Sequence, residues 1–271
     1  MSGTIGPAQL SRGSPASFDI PRLRFLGTPF DRITFTEVLK LIGETQHDPG
    51  FRYVVTPNVD HVVRLAHHPE LGVYYDNAWL TLCDSKPIML LARAMPMILP
   101  RVTGSDLTVC LFNEVIRPGH KLALIASSQQ LAETMRRKHP HLQLRVHVPP
   151  LGVAENPQEL AKCVEFVLRE RADFIFIAIG SPQSEIIAHA LSRDARASGT
   201  CLCIGASLEF MTGMKKRAPR WMTKVGVEWV HRLASDPKRL WRRYVFAVPS
   251  LMRLAAKEVG QSWATRILGR S

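Results

Sequence analysis

The sequence predicts an α/β protein: a mostly parallel sheet with helices on both faces, followed by a basic helical C-terminal appendage. Three observations carry that prediction. Short apolar, β-branched runs alternate with longer segments of helical period, the pattern of repeated βαβ units. One run, Phe174-Ile175-Phe176-Ile177-Ala178-Ile179, is apolar throughout, as a strand covered on both faces must be. Charge is lopsided as well: residues 215–271 hold 14 Lys+Arg against 3 Asp+Glu, whereas residues 1–214 hold 21 against 20.

Taken in chain order, Met1 to Ser17 is rich in Ser, Gly and Pro and lacks the apolar stretch of a signal peptide. A flexible leader on an unsecreted protein is expected over residues 1–17. The core is expected over residues 18–212 and the appendage over 213–271. The change of character falls near residues 209–215, where Gly213 and then Pro219 interrupt the pattern. Within the core, Phe51 to Thr56, Trp79 to Cys83, Lys121 to Ala126, Leu142 to Val148, Asp173 to Ile179 and Thr200 to Ile204 read as strands, being short and apolar. Val59 to His68, Pro87 to Met95, Ser105 to Ile116, Gln129 to His139, Pro157 to Arg171 and Pro182 to Ala197 read as the helices between them. No internal repeat of 20 to 50 residues is visible.

With 271 residues, 46% of them hydrophobic, the chain can bury a sizeable core. Cys83, Cys110, Cys163, Cys201 and Cys203 have apolar neighbours and no CxxC spacing, so reduced thiols in a cytosolic compartment are expected. No apolar run approaches the ~18 residues of a spanning helix. The appendage interleaves Trp221, Trp229, Trp241, Tyr244, Phe246 and Trp263 with Lys and Arg. Basic groups attract phosphates, and Trp and Tyr favour the lipid–water boundary. A phosphate-rich partner is implied, either nucleic acid or an anionic membrane on whose surface the protein lies.

In open parallel sheets ligands bind past the carboxyl ends of strands, so those segments hold the candidate site. Thr56 and Asn58 follow the first run, where they could bond a ligand or cap the next helix. Asp84 follows the second, as a general base or as a helix cap before Pro87. Arg101-Val102-Thr103-Gly104 precedes a helix; glycine and a small hydroxyl there allow close approach of a phosphate, with Arg101 as counter-charge. Gly180-Ser181-Pro182-Gln183 is a tight turn after the most apolar strand. It matches neither the dinucleotide-binding nor the P-loop pattern. Gly205-Ala206-Ser207-Leu208-Glu209 lacks the nucleophile elbow. There is no H-E-x-x-H and no D-x-D, and the His67-His68 and His139/His141 pairs read as solvated, so no metal or other cofactor is expected.

In order, these segments resemble the WecG/TagA/CpsF family of bacterial glycosyltransferases, also called glycosyltransferase family 26. The matching pieces are Phe25-Leu26-Gly27 with Pro29-Phe30-Asp31-Arg32, Thr56-Pro57-Asn58, Asp84, Arg101 to Leu107, Gly180-Ser181-Pro182, and Lys216 to Met222 running into Gly226 to Leu233. The last is the most specific, and the match covers roughly residues 24–245. The resemblance implies a Rossmann-like core and inverting transfer of a hexose-type sugar from a UDP-sugar to a polyprenyl-diphosphate-linked sugar. It places that reaction at the cytoplasmic face of the cell membrane, in polysaccharide or cell-envelope assembly. It makes Asp84 the base, Thr56, Asn58 and Arg101 pocket residues, and Arg232, Arg239 and Arg242 the groups that reach the diphosphate. Thr103, Gly104, Gly180, Gln183 and Glu209 complete the expected binding set. Two departures stand out. The family's G-x-P-K-Q-E turn has Gln183-Ser184-Glu185 here, and the family's Asp after an aromatic residue is replaced by Glu209 after Leu208.

Two other classes compete with the enzyme reading. A nucleic-acid-binding protein would use the basic tail as a phosphate clamp, but no reading motif accompanies it. A membrane-docked scaffold would keep the fold without activity, against which Asp84 and Arg101 stand. Vesicle against oligonucleotide binding separates the first, and UDP release with a lipid acceptor the second. Homo-oligomerisation is left open by the sequence.

Overall fold

The computed structural model describes residues 20–46, 48–216, 219, 222 and 247–260. The main sheet contains β3 (Phe51–Val55), β4 (Leu80–Thr81), β5 (Lys121–Ala126), β6 (Gln143–His147), β7 (Phe174–Ala178) and β8 (Gly199–Cys203), ordered β4-β3-β8-β7-β5-β6. Every pairing in it is parallel. The expected strands are all present, each within two residues of its expected bounds. The fold is Rossmann-like α/β, as expected.

Alternate residues of each strand feed two cores. Val54, Leu124, Phe176 and Leu202 face one side, and Tyr53, Val55, Ile125, Ile177 and Cys201 the other. The first face is covered by α1 (Phe35–Glu44), α5 (Gly104–Cys110) and α6 (Gln129–Lys138); the second by α7 (Pro157–Glu170) and α8 (Gln183–Ser192). Gly199 enters β8 at φ 91°, and a Cβ there would lie 2.2 Å from the Ala172 carbonyl oxygen, so only glycine fits.

Several elements were not expected from the sequence. An antiparallel hairpin, β1 (Arg22–Phe25) and β2 (Thr28–Asp31), precedes the sheet. Its turn places Leu26 and Gly27 at φ 53° and 76°, the two positive values that a tight hairpin turn needs. Helix α1 starts at a reciprocal cap: the Thr34 N–H donates to Glu37 Oε2 at 2.8 Å, and the Glu37 N–H to Thr34 Oγ1 at 3.4 Å. The sequence Thr34-Phe35-Thr36-Glu37 carried that signal. The short helices α3 (Val73–Asp76) and α9 (Ser207–Met211) lack enough turns to show a period.

The hairpin is fastened to the edge of the sheet. Arg22 grips Asp31 through two bonds of 2.8 Å and also donates to the carbonyls of Ala78 and Trp79 at 2.9 and 3.1 Å. Asp31 Oδ2 accepts the Thr81 N–H at 2.7 Å, so one ion pair with a buried carboxylate and a half-buried guanidinium fixes β4, the strand that leads to Asp84. Phe25, Leu26 and Phe30 then form a satellite core with Val62 of α2 (Val59–His67), Ile88 and Ala92 of α4 (Lys86–Ala94), and Leu251 and Ala255 of α10 (247–260). The Leu26 N–H also donates to Glu258 at 3.1 Å.

Candidate active site

Three chain segments run side by side past the end of β3. The Asp84 N–H donates to the Pro57 carbonyl at 3.1 Å, and Val102 N–H to the Cys83 carbonyl at 3.0 Å. Cys83 and Arg101 form a parallel bridge. The backbone thereby gathers Thr56, Asp84, Arg101, Thr103 and Gly104, residues 56 to 104 in sequence, at one strand end.

Asp84 is half-buried, and its Oδ2 accepts the N–H of Gly104 at 3.3 Å. That N–H is one of the donors a helix start leaves unbonded, and the carboxylate supplies its acceptor. A partly accessible carboxylate at a strand end is placed as a general base has to be. Gly104 serves by close approach: a Cβ there would lie 3.0 Å from Thr56 Oγ1 and 3.4 Å from Ser207 Oγ. Ser207, which the sequence reading passed over, also lies 3.5 Å from Ser105 Oγ and donates to the Ile204 carbonyl at 2.7 Å. Thr103 is the cap of α5, its hydroxyl bonding Asp106 Oδ2 at 2.6 Å and accepting the Asp106 N–H at 3.1 Å.

Asn58 caps α2 in the same way, its Oδ1 accepting the Asp60 N–H at 3.0 Å and lying 2.9 Å from His61 Nδ1. Beneath it is a polar cluster that the sequence reading missed. Arg64 donates to Ser181 Oγ at 2.9 Å, with Tyr75 Oη 3.5 Å from the same hydroxyl. His61 Nε2 sits 3.7 Å from Glu185 Oε1. Glu185 is buried, and its Oε2 has no hydrogen-bond partner among the described residues. Burial pushes its carboxyl up to about 7. Burial and the neighbouring Arg64 charge push His61 down to about 3, so the ring is neutral. The cluster ties the Thr56–Asn58 segment to the Gly180–Pro182 turn through side chains 117 residues apart. Only Glu185, an acid inside an otherwise apolar helix face, signalled it in the sequence.

Gly180 takes φ 87° and Gln183 opens α8, half-buried, while the Ser181–Pro182 peptide is cis. Ser184, at the position where the family has Gln, is buried and donates to the Gly180 carbonyl at 2.8 Å. Glu209 accepts from Ser127 Oγ at 3.2 Å and pairs with Lys215, linking the ends of β5 and β8 to the start of the basic segment. Arg232, Arg239 and Arg242 lie outside the described residues, as do the expected leader and most of the appendage. No helix among the described residues is long and apolar enough to cross a membrane.

A parallel α/β sheet with a carboxylate, an arginine and a glycine-started helix gathered past its strand ends is the arrangement of a ligand-binding site in an open α/β fold. The family model described as the Glycosyl transferase WecG/TagA/CpsF family matches residues 23–265, and the chain belongs to that family. It is a glycosyltransferase. Among similar curated proteins is the N-acetylglucosaminyldiphosphoundecaprenol N-acetyl-beta-D-mannosaminyltransferase of Staphylococcus aureus, 23% identical over 91% of this chain and 94% of its own length. The enzyme of the same name from Bacillus spizizenii is 24% identical over 76% of this chain and 81% of its own.

Proposed function

We propose that the chain transfers a hexose-type sugar from a UDP-sugar, with inversion, to a sugar carried on a polyprenyl diphosphate, as a step of polysaccharide or cell-envelope assembly at the cytoplasmic membrane face. The observation that carries this reading is the placement of Asp84. It stands at a strand end, bonded to the first N–H of α5 and beside Arg101, in a chain whose relatives are named for a diphosphoundecaprenol-linked acceptor. Asp84 takes the proton from the acceptor hydroxyl as that oxygen attacks the anomeric carbon. The bond from that carbon to the UDP oxygen breaks, and UDP leaves with the electron pair. Arg101, joined by Arg232, Arg239 and Arg242, meets the negative charge that grows on the diphosphate. With arginines in that role the reaction needs no metal, so turnover persists in a chelator.

The test is UDP release with a panel of UDP-sugars and a synthetic lipid-diphosphate sugar. Release that depends on both substrates, and survives chelation, supports the proposal. Release by no donor, or release indifferent to acceptor, defeats it.

A further inference from the structure

Five of the seven exposed large apolar side chains among the described residues belong to one structural unit. They are Leu90 on α4, Ile98 on the loop that follows it, and Val248, Met252 and Val259 on α10. Both helices pack into the same satellite core, through Ile88 and Ala92 on one and Leu251 and Ala255 on the other. Ile98 is 71% exposed, on a loop anchored at both sides. The Met97 N–H donates to the Ala92 carbonyl at 2.9 Å, Arg32 Nε donates to the Ile98 carbonyl at 3.1 Å, and Leu99 beside it is buried. The loop therefore holds Ile98 out in water. On α10, Val248, Met252 and Val259 are spaced by four and seven residues, which lines them up as a stripe beside the face that buries Leu251 and Ala255.

The ionisable side chains that these elements carry are cationic apart from one acid. Residues 85–103 contain Lys86, Arg93 and Arg101 and no Asp or Glu. On α10, Arg253 and Lys257 are exposed, while its one acid, Glu258, accepts the Leu26 N–H. Apolar side chains rimmed by cations are complementary to an anionic lipid surface, where acyl chains receive the first and headgroup phosphates the second.

We propose that α4, the 95–100 loop and α10 form one lipid-docking face, shared by the core and the 247–260 helix that packs on it, with Ile98 entering the boundary between headgroups and acyl chains. The loop runs on to Arg101 and Gly104, and α4 begins two residues after Asp84. A bilayer at this face therefore brings a lipid-borne acceptor to the catalytic strand end. This inference rests on the reading of the acceptor as lipid-linked.

The experiment compares full-length protein with the double variant Ile98→Ser/Met252→Ser in co-sedimentation with phosphatidylcholine vesicles, with and without phosphatidylglycerol. The expected result is binding that needs phosphatidylglycerol and falls roughly tenfold in the variant. Melting temperature should be unchanged. Turnover should be kept on a short-chain, water-soluble acceptor and lost on a long-chain acceptor in vesicles. Unchanged vesicle binding overturns the proposal. So does a smaller mass of the free variant in solution, which would make the patch a contact between copies, or a lower melting temperature with vesicle binding intact, which would mean the chain covers it. Should wild-type protein use neither acceptor, the acceptor reading fails while the vesicle arm still decides the docking face.

Discussion

Asp84 and Glu185 are both carboxylates just past a strand end, and their surroundings give them opposite characters. Asp84 is half-buried and takes a helix N–H; Glu185 is buried beside a neutral His61 with one oxygen unbonded. The folded chain keeps a proton on Glu185 up to about pH 7, against an ordinary 4.5. Its contribution to stability is full below 4.5 and is lost as pH rises to about 7. His61 has the reverse sign: its contribution is full above 6.5 and is lost as pH falls toward 3. Glu185→Gln removes only the first, so its stability relative to wild type should rise between pH 4.5 and 7, by at most ~3 kcal/mol. Urea unfolding at pH 5 and pH 8 measures this, and parallel curves for the two proteins would contradict it. Gly104 gives a second expectation at this scale. Gly104→Ala must push Thr56 or Ser207 back by a few tenths of an ångström, so kcat should fall by roughly tenfold or more with little change in fold. A variant at wild-type rate would show that this close approach is not used.

Among the elements, β4 is the shortest strand of the sheet and also the one that delivers Asp84. Its pairing with β3 is brief, and the Arg22–Asp31 pair of the hairpin supplies what the ladder lacks. Asp31→Ala leaves Arg22 without its carboxylate and the Thr81 N–H without its acceptor. It should cost about 3 kcal/mol and loosen the Asp84 segment, lowering kcat as well. Thermal unfolding and turnover measured together check it; a loss below about 1 kcal/mol would mean the hairpin does not hold the edge. The hairpin is also the element the sequence concealed best, because four-residue strands have too few alternations to register and Leu26 is an unusual choice at positive φ. Strands β5 and β7 were legible because burial on both faces makes them continuous apolar runs. Trp79 to Cys83 read as a longer strand than β4 because its last residues pair with Arg101 only at an isolated bridge.

For the whole molecule, the parts of the candidate site that follow apolar runs could be located from the sequence, and the parts made by contact across the fold could not. Thr56, Asp84 and Arg101 stand at or just past the ends of apolar runs, where a parallel sheet places its ligands. The cluster of His61, Arg64, Tyr75, Ser181 and Glu185 could not be found in that way, since its members are scattered over three helices and a turn. The basic tail led only to the expectation of a phosphate-rich partner, and composition gave no sign that 247–260 folds back onto the core. That packing has a consequence for truncation. Ending the chain at residue 214 uncovers Phe25, Leu26 and Ile88, so the shortened protein should melt at lower temperature and associate, besides losing activity. Light scattering and a melting curve test this, and an equally stable monomer would contradict it.

The central claim, that Asp84 is the base of a sugar transfer, is tested most directly by Asp84→Asn. The change keeps shape and the bond from Gly104 while removing basicity. UDP release in the presence of donor and lipid-linked acceptor should fall by ~10² to 10⁴ with UDP affinity and melting temperature unchanged. A variant that keeps more than about a third of wild-type kcat would mean that Asp84 only caps the helix start.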